Sequence, residues 1–384
     1  MTGNTAAVAM LIALFGWSSA RADEPNDVYA RVADRRFPSV FQAWNAADNL
    51  KDEDRLTTLA RHDLVYHAPD FFGLRWVGKF NGLATEFTDA SRKAGLQMRA
   101  DLLKKNPQMV LLAELRYRDA HLSYLPPNHE WWMRKAGKVV VGWEEGGYLL
   151  LDFSQAAYRQ QVARQAKAMV ESGVFDGIML DWWDDDQDRV ALLKEIRREI
   201  GDKPLILANA NDRQTPRTAS LLNGYFMECY QSKAAKDWRQ IADTLEWAEE
   251  NLRKPRVNCL ETWYQNSRQD LNLMRATTTL SLTLSDGYCL FSDPNPLPSP
   301  DHLHDWYPFW EKSLGRPMAK GRWQNDGSVR REFDNGLAVY NPMGNQTVTV
   351  TFNTPRTSAA TRTTAKSFRV EPGDGDLLLI ETAK

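Results

Sequence analysis

Short apolar runs recur along the chain, each followed by a helical pattern in which apolar residues step by three and four. The runs are Phe37–Trp44, Asp63–His67, Met109–Leu115, Phe175–Asp181, Pro204–Asn209, Gly224–Glu228, Arg256–Glu261 and Gly287–Phe291. Near-continuous apolar strands are what a sheet covered on both faces requires. Between them, Trp238, Ile241, Leu245, Ala248 and Leu252 form one helical stripe. Tyr158, Val162, Ala166, Met169 and Val170 form another, Val190, Leu193, Ile196 and Ile200 a third, and Leu271, Met274 and Thr278 a fourth, with a polar helix near 46–60. Eight strands alternating with helices predict a parallel sheet, and the span from Phe37 to Leu314 is near the ~250 residues of a (β/α)8 TIM barrel. A doubly wound open sheet is the alternative. A ninth run, Tyr148–Phe153, leads into a helix with Ser154 at its cap, which reads as an insertion after strand three.

The pattern changes after about residue 320. Gly336–Tyr340, Thr347–Phe352, Ser367–Val370 and Asp376–Ile380 are short alternating strands between turn residues, predicting a small C-terminal antiparallel β-sandwich. The Pro-rich stretch Ser292–Asp301 reads as a rim loop of the barrel, because another helical pattern follows it. At the other end, the apolar run Ala6–Trp17 falls short of the ~20 residues that span a membrane. Ala20 and Ala22 make a small-x-small cleavage pattern, as in a secretory signal peptide, although no Lys or Arg precedes the run. The expected division is a signal peptide over 1–22, a catalytic barrel over 23–318 and a β-sandwich over 319–384. The mature chain is expected in the periplasm or the medium, without a membrane segment.

With 43% hydrophobic and 26% charged residues the 384-residue chain has ample material for a core, which excludes disorder. A net charge of -2 argues against a nucleic-acid partner. The three cysteines, Cys229, Cys259 and Cys289, sit in strand-like runs 30 residues apart, the length of a strand–helix unit, and read as buried thiols. The 14 Trp, 12 Tyr and 15 Phe are an excess that a flat-ring binding surface would use.

Barrel active sites lie at the carboxyl ends of the strands. Here Glu114, Asp181, Glu228 and Glu261 end strands, and Asn209 and Asn211 close strand five. Rings accompany them: Tyr66 and His67, Tyr117, Trp182 and Trp183, Tyr230, Trp263 and Tyr264. Rings suit the apolar faces of a sugar, and carboxylates and amides suit its hydroxyls. A pair of carboxyls can cleave a glycosidic bond, one protonating the leaving oxygen while the other acts as nucleophile or base. Asp181 is the strongest single candidate and Glu228 the acid/base, with Glu261 its rival. His67, Glu114, Tyr117, Trp182, Trp183, Asn209, Tyr230, Glu261 and Trp263 are the expected sugar contacts. Trp238, Trp247 and Trp306 lie on expected helices and read as core. The acidic run Asp184–Asp188 lacks the glycine and closing glutamate of a calcium loop and reads as a helix start. No zinc-protease, serine-hydrolase or phosphate-loop motif is present, so neither metal nor cofactor is expected.

The run from Phe175 to Trp183 resembles the fourth-strand motif of TIM-barrel glycoside hydrolase families related to the α-galactosidase superfamily and to endo-α-1,4-polygalactosaminidases. The order of strand-end residues and a C-terminal β module ending in Pro372–Asp376 are also similar. The resemblance implies Asp181 as nucleophile and Glu228 as acid/base. The chain departs from α-galactosidase-type sites in having no Lys two residues after Asp181, and strand six ends in Glu rather than Asp. The expectation is an exported glycoside hydrolase. The alternatives are a carbohydrate-binding barrel without catalysis and a metal-dependent hydrolase using Asp184–Asp188.

Overall fold

The computed structural model describes residues 27–230, 234–263, 268–292 and 302–380, with the side chains of Tyr230 and Trp263 outside that description. The proposed signal peptide, Tyr264 and most of the Pro-rich loop therefore lie outside the described residues.

The described residues open with helix α1 (Val28–Asp34), then β1 (Phe41–Ala43), α2 (Arg55–Ala60), β2 (Leu64–His67), α3 (Asp89–Lys105) and β3 (Val110–Glu114). Four short strands follow, β4 (Asp119–His121), β5 (Arg134–Lys135), β6 (Lys138–Val139) and β7 (Tyr148–Leu150). Next come α4 (Ala156–Glu171), β8 (Gly177–Leu180), α5 (Gln187–Ile200), β9 (Leu205–Asn209), β10 (Gly224–Tyr230), α6 (Ala235–Asn251), β11 (Cys259–Trp263), α7 (Leu271–Leu284) and β12 (Tyr288–Ser292).

Eight strands form one parallel sheet in the order β1-β2-β3-β8-β9-β10-β11-β12, matching the eight expected runs. The ends meet through a single bridge, in which the Cys289 amide donates to the Ser39 carbonyl at 2.9 Å, so the sheet is a nearly closed TIM barrel. Strands β4 and β7 pair antiparallel outside it, so the ninth run belongs to an insertion after the third strand.

Strand alternation sorts the barrel into two cores. Phe41, Tyr66, Leu112, Met179, Leu207, Phe226, Cys259 and Leu290 fill the interior. Val65, Leu111, Ile178, Ile206, Met227 and Leu260 pack outward against the helices. Gly177 opens β8 because β9 passes close: a Cβ there would sit 2.0 Å from the Leu205 carbonyl oxygen.

Several local expectations are corrected. Strands β9 and β10 are joined by a link that contains only a 3-10 turn, Ala219–Leu221, rather than an α-helix. The segment after the Pro-rich loop forms a turn at 308–311 rather than a helix, and Trp306 lies in the preceding loop against His62 and Trp310. The polar helix near 46–60 is shorter, only α2. Gln155 rather than Ser154 stands at the α4 N-cap, and Ser154 instead hydrogen-bonds Asp152.

The tail comprises β13 (Arg322–Trp323), β14 (Val329–Phe333), β15 (Gly336–Asn341), β16 (Val348–Ser358), β17 (Thr364–Val370) and β18 (Asp374–Ile380), in one antiparallel sheet ordered β13-β14-β15-β18-β16-β17. The two layers of the expected sandwich are parts of this single sheet. Strand β16 shifts register between Thr351 and Arg356, and Val348, Val350, Phe368 and Val370 pack over Leu337, Val339 and Leu378. Its other face covers α7, where Arg275 makes a bidentate pair with Asp374 at 2.8 and 2.7 Å.

Candidate active site

The interior set, continued one step past the apolar layers, brings Glu114, Asp181, Asn209, Glu228, Glu261 and Ser292 to the carboxyl end of the barrel. Asn209 is the geometric centre of this group. Its Nδ2 donates to Asp181 Oδ1 and to Glu228 Oε2, each at 2.8 Å. The two oxygens can therefore be at most twice that distance apart, about 5.6 Å. Asn211, in the left-handed region (φ 53°), donates its amide to the Glu228 carbonyl at 2.9 Å and fixes the strand end.

The two carboxyls differ in surroundings. Burial raises Asp181, with the Glu114 charge adding to it, while the Asn209 hydrogen bond, Arg116 and the Trp182 amide favour its ionised form. Burial pushes Glu228 up to about 7, opposed by His302 and reinforced by the Asp181 and Glu261 carboxylates. Glu261 is fully buried, accepts from the Ser292 hydroxyl at 2.5 Å and faces His302 Nδ1 at 2.8 Å. It supports the site from behind, which separates it from the role of direct sugar contact expected from sequence.

Glu114 is likewise occupied: the Trp44 indole donates to it at 3.0 Å and Arg116 pairs with it at 2.7 Å. Arg116 lies 4.7 Å from the ring centroid of Tyr148, so the β4–β7 insertion contributes to the mouth of the barrel.

The expected sugar contacts divide. Trp182 is half exposed, in the left-handed region (φ 53°), with the Arg118 guanidinium 4.4 Å from its ring. Trp183 is fully buried and donates to the Thr218 hydroxyl, so it cannot meet a ligand. Tyr117 is also buried, its hydroxyl donating to the Trp182 carbonyl at 2.8 Å. His67 points away from the interior, because Tyr66 takes the inward position of β2. The His67 ring stacks on Phe71 at 4.1 Å, and burial lowers it to about 4. The side chains of Tyr230 and Trp263 lie outside the described residues.

The acidic run is engaged in local structure. Asp186 caps α5 through the Arg189 amide at 2.8 Å, and Asp185 accepts the Arg217 amide at 3.0 Å. Among the described residues, no group of three or more His, Cys, Asp or Glu is placed to hold a metal, and no helix is long and apolar enough to cross a membrane. The three cysteines are buried.

Trp44, Arg116 and His302 belong to this site without having been expected there, and Tyr66, expected only as a strand-end ring, takes the inward place beside them. Parity along β2 marks Tyr66, and Arg116 follows Glu114 by two. His302 carries no such signal, because it follows a loop with no periodicity.

No protein-family model and no curated protein sequence matches the chain. Its fold is similar to a maltogenic α-amylase of Thermotoga neapolitana, with a TM-score of 0.55, 12% identity, and 89% of this chain and 99% of that one covered. It is also similar to an α-amylase of Lactobacillus plantarum, at TM-score 0.54, 11% identity and coverage of 91% and 99%. A cyclic α-maltosyl-(1-->6)-maltose hydrolase of Arthrobacter globiformis in complex with that sugar follows at TM-score 0.50, 11% identity and the same coverage. These neighbours are glycoside hydrolases, and at such identities the likeness is one of fold.

Proposed function

We propose that the protein is an exported glycoside hydrolase acting on a poly- or oligosaccharide, with Asp181 as nucleophile and Glu228 as acid/base. The observation that carries this reading is the shared Asn209 nitrogen, which holds one oxygen of each carboxyl within about 5.6 Å of the other at the mouth of a barrel. A retaining enzyme needs about 5–5.5 Å between its carboxyls and an inverting one about 6.5–9.5 Å, to leave room for a water. The arrangement favours retention. Asp181 attacks the anomeric carbon while Glu228 gives its proton to the departing oxygen, leaving a glycosyl ester on Asp181. Glu228, now ionised, takes a proton from water as that water attacks the same carbon and releases Asp181. Trp182, half exposed, offers a face to a sugar ring. The neighbours' fold supports a saccharide substrate, and their names give no sugar for this chain.

Export rests on the Ala20-x-Ala22 pattern; N-terminal sequencing of the protein recovered outside the cytoplasm should begin at Asp23. The reaction is tested with the purified mature protein on a glycan panel, beside Asp181→Asn and Glu228→Gln. Turnover with retained anomeric configuration in the first NMR-resolved product, lost in both variants, is the expected result. Inverted product refutes the assignment of Asp181, and glycan binding without turnover favours the carbohydrate-binding alternative.

A further inference from the structure

The two ring nitrogens of His302 face two different carboxylates. Nδ1 lies 2.9 and 2.8 Å from the two Glu261 oxygens, and Nε2 lies 3.9 Å from Glu228 Oε1. A carboxylate offers only lone pairs, so Nδ1 carries a hydrogen and the tautomer is fixed. At 3.9 Å, Nε2 acts on Glu228 as a charge rather than through a hydrogen bond. The ring is held in place by Trp44, its centroid 4.8 Å away, and by Phe226 at 5.8 Å. The chain beyond it is anchored by His304, whose Nε2 is 2.9 Å from that of the buried His62.

We propose that His302 is a positioning residue that offsets the negative charge around Glu228, so that one carboxyl can release a proton in the first step and accept one in the second. Glu228 is faced by Asp181 after β8, by Asn209 from β9, by Glu261 from β11 and by Tyr66 from β2, whose phenol burial raises well above its ordinary value. Glu114 and Arg116 act on Asp181 in turn. Without a cation, two carboxylates and burial would hold the Glu228 proton too tightly to give away. Burial alone would favour a neutral His302, yet the charges of Glu261, Glu228 and Asp181 raise it to about 9, so the ring is the cation. When Asp181 becomes an ester its charge vanishes while that of His302 stays, and Glu228 then holds a proton less tightly. The inference rests on the acid/base reading of Glu228.

Two measurements on the full mature chain test it. In protein labelled with 15N at its six histidines, the His302 ring should keep both hydrogens at pH 8, and Glu228→Gln should lower its titration by about one unit. A neutral ring at pH 8, or one indifferent to Glu228→Gln, overturns the proposal. This arm needs no substrate and no His302 variant. In the second arm, His302→Gln should move the alkaline limb of kcat/KM up by about one pH unit. An active variant with an unmoved limb overturns the proposal and leaves the glycosidase reading intact. Absence of turnover by the wild type on every glycan removes the acid/base reading and the role of His302 with it, whereas the NMR arm still reports the charge coupling.

Discussion

Asp181 and Glu228 receive hydrogen bonds from one nitrogen, Nδ2 of Asn209, each at 2.8 Å. The amide sets both their spacing and their orientation. Removing it in Asn209→Ala leaves two carboxyls without their common donor. By analogy with the loss of one preorganised donor, kcat should fall about 100- to 1000-fold. Initial rates on the substrate found in the panel check this, with far-UV circular dichroism confirming the fold. A rate within threefold of wild type would show that the bridge is incidental.

The pH profile should be bell-shaped. A general acid works only while protonated, so kcat/KM falls as pH rises through the Glu228 value of about 7. The nucleophile works only when ionised, and burial and the Glu114 charge raise Asp181, which moves the acid limb up from the ordinary aspartate range. A flat profile from pH 7 to 9 is incompatible with Glu228 as the acid.

Adjacent tryptophans should behave oppositely. Trp182 is half exposed and Trp183 fully buried. Trp182→Ala should weaken glycan binding by about 0.5–1.5 kcal/mol with little change in stability. Trp183→Ala should cost about 3–5 kcal/mol of stability through the cavity it leaves. Isothermal titration with an oligosaccharide, beside urea unfolding, separates the two.

Asp176 begins the Asp-Gly-Ile-Met-Leu-Asp run but works at the opposite end of the strand from Asp181. It pairs with Arg31 and with Arg99 at 2.7 Å, and accepts the Leu111 amide at 2.9 Å. Asp176→Ala leaves two guanidinium groups without their buried counter-charge, and should destabilise by about 3–5 kcal/mol. The catalytic rate per folded molecule should not change. Chemical denaturation and active-site titration give the two numbers.

The buried pair His62 and His304 should contribute to acid sensitivity, as should His67. Burial lowers the pair, to about 3 and about 4, with the His304 charge a further cause for His62. An unfolded imidazole titrates near 6.5. The stability they confer is therefore complete above about pH 6.5 and is lost as pH falls toward 4. Glu228, raised, has the opposite slope in that range, so the readout is the difference between wild type and His304→Gln. The urea midpoint of the wild type should drop more steeply on acidification than that of the variant.

The barrel was legible because its strands are apolar on both faces and alternate with helical stripes that can cover them. Alternation then carries Glu114, Asp181, Asn209, Glu228 and Glu261 inward together. The division between ring contacts and core rings was not legible. Trp182 and Trp183 are neighbours, and only the left-handed backbone at Trp182 turns one outward and the other in. His67 illustrates the converse, since its strand already spends the inward position on Tyr66. His302 depends on a long-range approach after a loop without periodicity, which local pattern does not encode.

From Ala276 to Thr283, helix α7 has no outer side. Ala276, Thr277, Thr278, Thr279 and Leu280 are all fully buried, and several threonine hydroxyls bond back to the helix's own carbonyls. Strand β18 lies so close that a Cβ on Gly375 would fall 1.9 Å from the Thr279 hydroxyl. The tail is thus not an accessory strung onto a finished barrel. It replaces the solvent on one flank of the barrel, so a chain cut short before the sheet would wet a helix built to stay dry, and the two parts should melt as one.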